Sequence, residues 1–91
     1  MWETIDPDGR RVVLTHERWR HIVEEHEELG LEPSDILAVV AEPEHRLPGR
    51  GPQEEWFYRG GAGPSRWVKV VVHYEQTFGR IVTAFPRRAL P

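Results

Sequence analysis

Five histidines, His16, His21, His26, His45 and His73, stand in a chain of 91 residues that contains no cysteine. Imidazole is the side chain whose ordinary pKa brings proton transfer within reach of neutral pH, so these residues are the first candidates for acid–base chemistry. His16, His21 and His26 recur every five residues, which on a helix turns successive rings by about 140°. A shared metal would need the closer i, i+4 spacing, and no metal or other cofactor is expected. His26 falls in an apolar stripe, where it reads either as an acid–base group or as a histidine at the core margin bonded to a carbonyl. His21 faces the polar side one turn before Glu25 and reads as an acid–base group or an ordinary exposed residue.

Lys69 interrupts the run Trp67-Val68-Lys69-Val70-Val71-Val72-His73. Strand alternation sends Trp67, Lys69, Val71 and His73 to one face and Val68, Val70, Val72 and Tyr74 to the other. A cation, an imidazole and an indole projecting together offer the charge and stacking surface that single-stranded nucleic acid uses. The plainer alternative is a solvated face whose lysine guards against aggregation. Arg59, at the end of the aromatic run Trp56-Phe57-Tyr58, reads as a candidate phosphate clamp or as an ordinary solvated arginine at a strand end, and Tyr58 joins Trp67 and His73 as a candidate substrate contact. Thr83, taken by itself, reads as a β-former and nothing more. The stretch from Gly60 to Pro64 lacks the Lys-Ser/Thr pair and helix of a phosphate-binding loop and reads as a hairpin connection.

These residues need elements to position them. Trp2 to Ile5 and Arg10 to Leu14 flank Asp6-Pro7-Asp8-Gly9 and predict a hairpin. Thr15 is a good N-cap for a helix from His16 to Leu29, with Trp19, Ile22, Val23, His26 and Leu29 as its buried stripe and Arg18, Glu24, Glu25 and Glu28 in water. Pro33 or Ser34 opens a second, mostly buried helix that Pro43 ends. Glu44 to Leu47 reads as an edge strand, Glu55 to Arg59 as an aromatic strand and Arg66 to Glu75 as the clearest strand. Arg80 to Phe85 pairs with the last of these, closed by Pro86. The expected fold is α+β, with the N-terminal hairpin and two helices packed on one face of an antiparallel sheet of about four strands, in a single domain over residues 1–91.

The formal net charge of −3 conceals an asymmetry. Residues 1–45 hold 4 Arg against 12 Asp/Glu, a net −8, while residues 46–91 hold 8 Lys/Arg against 3 Glu, a net +5. The basic sheet half reads either as a positive field for phosphate despite the overall sign or, more plainly, as an Arg-rich solvated surface beside an acidic helix. With no cysteine, disulfides and thiolate chemistry are excluded. No long apolar run or leader-like N-terminus is present, so no membrane association is expected and the compartment reads as cytoplasmic.

The segments Leu14-Thr15-His16-Glu17-Arg18-Trp19-Arg20-His21-Ile22, Glu25-His26-Glu27-Glu28-Leu29, Ala41-Glu42-Pro43-Glu44, Trp56-Phe57-Tyr58-Arg59, Val70-Val71-Val72 and Ile81-Val82-Thr83-Ala84-Phe85-Pro86 form an ordered pattern. It resembles the phage and polymorphic-toxin nucleases of the BECR superfamily, which groups barnase, EndoU, colicin D-type and RelE-type ribonucleases. The resemblance implies helices on an antiparallel sheet whose open face handles RNA without a metal, through attack of a 2′-OH that leaves a 2′,3′-cyclic phosphate. Such chemistry needs a base, an acid and cations for the phosphorane. Carried onto this chain, His21 and His26 become the acid–base pair, Arg59 and Lys69 the charge stabilisers, and Thr83 a phosphate hydrogen-bond donor. It also implies RNA as substrate and a cognate antitoxin or immunity protein as partner. A catalytically inactive RNA- or protein-binding module of the same fold is the alternative, and the edge near Glu44 to Leu47 suits a homodimer. If His26 packs toward the sheet while Lys69 projects from the opposite face, either the helix lies across the sheet edge or only one of the two is catalytic.

Overall fold

The turn Asp6-Pro7-Asp8-Gly9 forms because each residue suits its place. Gly9 takes a φ of +85°, and Asp6 Oδ1 accepts from the amides of Asp8 at 2.9 Å and Arg10 at 2.8 Å. It joins strands β1 (Trp2–Ile5) and β2 (Arg11–Leu14) in antiparallel register, Trp2 opposite Leu14. The computed structural model describes residues 1–27, 30–61 and 66–91, so Glu28 and Leu29, expected in the first helix, and residues 62–65, expected in the hairpin connection, lie outside the described residues. After the hairpin come helices α1 (His16–Glu25) and α2 (Pro33–Ala41), then strands β3 (His45–Pro48), β4 (Glu54–Gly60), β5 (Trp67–Tyr74) and β6 (Gly79–Arg87).

The protein is α+β with two helices, but the sheet differs from the expectation. Its six strands run in the order β1-β2-β6-β5-β4-β3, and the hairpin extends the sheet instead of lying on its face. The sheet is mixed, because β2 runs parallel to β6 through Val12 opposite Gly79 and Val13 opposite Arg80. Val12, Val13 and Leu14 are all buried, and a strand apolar on both sides belongs inside a sheet with both edges paired. The long chain between Leu14 and Gly79 supplies the connection that a parallel pair requires.

Thr15 caps α1 as expected, its Oγ1 accepting from the Arg18 amide at 3.1 Å. The helix closes at Glu25, short of Leu29, with the His26 amide donating to Ile22 O. Glu24 and Glu25 crowd the negative end of the helix dipole, and no basic residue offsets them. Ile22 is the fully buried residue of α1, whereas Val23, expected in the stripe, is exposed. α1 packs along β6, so a narrower stripe suffices. Pro86 does not close β6. The strand continues to Arg87, since no strand among the described residues pairs with that edge beyond Arg80 and the missing N–H is not needed there.

One face of the sheet is the core. Val12, Leu14, Phe57, Val68, Val70, Val72, Ile81 and Ala84 meet Ile22 from α1 and Ile36, Val39 and Val40 from α2. At its margin a polar network ties the hairpin to β5 and β3. The Tyr74 hydroxyl donates to Asp6 Oδ2 at 2.6 Å, Arg10 lies 3.7 Å over the Tyr74 ring, and Arg46 pairs with Asp8 and Glu55. No helix among the described residues is long and apolar enough to cross a membrane.

Candidate functional site

The other face of the sheet carries no helix among the described residues, and its chemistry follows from strand register. β4 and β6 flank β5, so opposed residues form rows across this open face: Tyr58, Lys69 and Phe85 in one, Trp56, Val71 and Thr83 in the next. A bulge opposite Val71 and Val72 gives β6 one extra residue, Val82, which lines the same hollow as Thr83. With Arg50, Glu54 and Arg87, the side chains of Trp56, Lys69, Val71, Val82, Thr83 and Phe85 bound an open hollow of about 480 Å³.

Lys69 is the unusual group. It is only 7% exposed, and its Nζ lies 3.5 Å from the centre of the Trp56 ring, 5.3 Å from Phe85 and 5.8 Å from Tyr58. Aromatic faces stabilise a cation without neutralising it. Burial lowers the Lys69 pKa, Arg87 lowers it further, and Glu54 opposes both.

Glu54 is fixed from three sides. Its Oε2 accepts from the Arg50 amide at 3.0 Å and from Trp56 Nε1 at 2.8 Å, and these donors hold its carboxyl below the ordinary value. Its stem lies against Gly49, where a Cβ would stand 2.6 Å from Glu54 Cγ. The site therefore sets a carboxylate, an ammonium with a lowered pKa and two guanidinium groups around one hollow.

The residues singled out from sequence divide by position. Lys69 and Thr83 line the hollow. Tyr58 is fully buried beneath it, its hydroxyl without a hydrogen-bond partner among the described residues and its pKa raised by burial. Trp67 packs edge-on against His45 at 5.2 Å, and His73 stands opposite Glu54 and Arg80 on the same face but outside the hollow. The His26 ring lies 5.5 Å from that of Phe85, whose ring also faces the Lys69 ammonium. Because α1 runs along β6, His26 reaches the margin of the open face, with Phe85 between it and Lys69. His21 does not line the hollow. Arg59 faces the helices, its Nη1 donating to Ala38 O at 3.5 Å. No group of three or more His, Asp or Glu among the described residues is placed to hold a metal ion.

Sequence reasoning missed Arg50, Glu54, Trp56 and Arg87. Alternation along Glu54 to Gly60 already sends Glu54 and Trp56 to the face of Tyr58, and that signal was available. Arg50 sits in a loop and Arg87 beyond the proline taken as the strand's end, so nothing local placed either.

The fold and this site define an α+β protein with one helix-covered and one open, cation-lined sheet face. No protein-family model matches the chain, and no curated protein or solved structure matches it either.

Proposed function

We propose that the open sheet face binds RNA and cleaves it without a metal, as a small endoribonuclease of the BECR kind that the sequence motifs resemble. The observation that carries this reading is the desolvated Lys69 ammonium sharing a hollow with Glu54, Arg50 and Arg87. The Glu54 carboxylate takes the proton of a 2′-OH, O2′ attacks the adjacent phosphorus, and the bond from phosphorus to O5′ breaks. Lys69 gives a proton to the departing 5′ oxygen. Arg50 and Arg87 offset the charge that gathers on the phosphorane, and the Thr83 hydroxyl donates to a non-bridging oxygen. Trp56 and Phe85 offer apolar surface to a base. The products are a 2′,3′-cyclic phosphate and a free 5′-OH, and water restores both proton carriers. A toxin or phage-derived effector acting on cytoplasmic RNA, held in check by an antitoxin or immunity protein, is the setting that goes with this reading.

One observation favours a second reading, a non-catalytic RNA-binding module: no histidine lines the hollow. A single-stranded oligonucleotide with one 2′-deoxy residue separates the two. The ribonuclease reading requires cleavage in EDTA at the ribose positions, protection at the deoxy position and unchanged binding. Binding without cleavage of an all-ribose strand supports the module, and no binding removes both.

A further inference from the structure

The cleavage hollow does not end at Thr83. Val82, pushed onto the open face by the bulge, lines both it and a second hollow of about 370 Å³ bounded by Thr15, Glu17, Arg18 and Arg80. Arg80 belongs to the open face because it stands opposite His73 on β5 and Val13 on β2. Arg18 comes to the same place from the first turn of α1, which runs along β6. Resting on the reading of the open face as an RNA site, we infer that Arg18 and Arg80 form a second phosphate subsite, so that the substrate is a single strand lying along β6 across Val82.

Three observations support it. The arginines' own partners are distant and solvated, Glu17 at 4.0 Å from Arg18 and Glu75 at 3.6 Å from Arg80. Such pairs contribute little and leave guanidinium donors free for a phosphate, which a planar fork suits. The helix terminus itself is not the source of the site, since Thr15 Oγ1 already takes the Arg18 amide, and the Glu17 side chain is 85% exposed and turns to water. Spacing also fits. Arg80 and Thr83 stand three residues apart on β6, at most about 10 Å at the strand rise, so one short strand reaches both hollows. An apolar Val82 between two cationic hollows leaves room for a sugar or base between bound phosphates.

The test compares a dinucleotide with one phosphate and a hexanucleotide, using the wild type, Arg80→Gln and Arg18→Gln. The subsite predicts that the wild type prefers the hexanucleotide in kcat/KM by about tenfold or more, the size of one charge-assisted contact, and that either variant shrinks this ratio mainly through KM. A ratio that stays the same in both variants overturns the subsite. If the wild type cleaves neither substrate, the ribonuclease reading fails by itself. The subsite is then tested by anisotropy of a labelled DNA hexamer across salt concentrations. Weaker binding by Arg80→Gln, with a log–log salt slope smaller by about 1, sustains it, and unchanged affinity and slope overturn it.

Discussion

The ammonium of Lys69 lies 3.5 Å from the centre of the Trp56 ring, and the nitrogen of that ring donates to Glu54 at 2.8 Å. One indole thus supports a cation by its face and orients a carboxylate by its edge. The arrangement holds two oppositely charged groups beside one hollow without a direct ion pair between them. Such a pair would quench both, whereas a shared aromatic leaves each available to a substrate.

Replacing Lys69 by Met separates function from stability. A buried cation without an anionic partner is costly to the fold, and an apolar side chain of similar length removes that cost. Lys69→Met is expected to unfold in urea at the same or a higher midpoint than the wild type, while RNA cleavage falls by about 10²-fold or more. A clear loss of stability would show that Lys69 holds the sheet together.

The lowered pKa of Lys69 also sets a pH dependence. As the proposed acid it must be protonated, so kcat is expected to decline on the alkaline side below the ordinary lysine value of 10.5. Between the folded value and 10.5 the unfolded chain binds more protons than the folded one, so this group's contribution to stability rises with pH across that window. Denaturation at several alkaline pH values should show the rise in the wild type and not in Lys69→Met.

Gly49 tests the positioning of Glu54. A Cβ there would lie 2.6 Å from Glu54 Cγ, so Gly49→Ala must push the carboxylate from the amide and indole that hold it. Cleavage is expected to fall by about tenfold or more with KM little changed, because a small misplacement of a reacting group is costly. Trp56 fluorescence should report the same displacement without substrate.

Asp6 carries the structural prediction. Its buried carboxylate accepts from Tyr74, Asp8 and Arg10, and although burial alone would raise its pKa, these donors hold it below the ordinary value. Asp6→Ala leaves the Tyr74 hydroxyl and two arginines without their buried anion and is expected to cost about 3–5 kcal/mol. With the folded pKa below the ordinary aspartate value of 3.8, the carboxylate's contribution is present above 3.8 and lost as pH falls through the folded value. Acid unfolding of the wild type should show this loss, and Asp6→Ala should lack it.

Local patterning made much of this molecule legible. Asp6 to Gly9 announced the hairpin, Thr15 the start of α1, Pro33 and Pro43 the limits of α2, and the alternation of Trp67 to Tyr74 the two faces of β5. Long-range pairing was less visible. Nothing within Val12-Val13-Leu14 names β6 as its neighbour, although burial on both faces marks an interior strand. The site followed the same division: Lys69 stood out because it broke a valine run, whereas Arg50 and Arg87 entered the hollow through a loop and a strand end. His21 entered through its residue type and the motif resemblance and lies away from the hollow, and Arg59 faces the helices because alternation on β4 sends it to the side of Phe57.

The central claim is that the Lys69 hollow, and not the histidine-bearing helix, performs the chemistry. The most direct measurement is the initial rate of single-stranded RNA cleavage in EDTA for the wild type and for folded Lys69→Ala, Glu54→Gln, His21→Ala and Arg59→Ala. We predict cyclic-phosphate products from the wild type and losses of about 10²-fold or more for Lys69→Ala and Glu54→Gln. His21→Ala and Arg59→Ala should stay within about threefold of the wild type, the scale of a surface change. Full activity in Lys69→Ala together with loss in His21→Ala, or no cleavage by the wild type, would contradict the account.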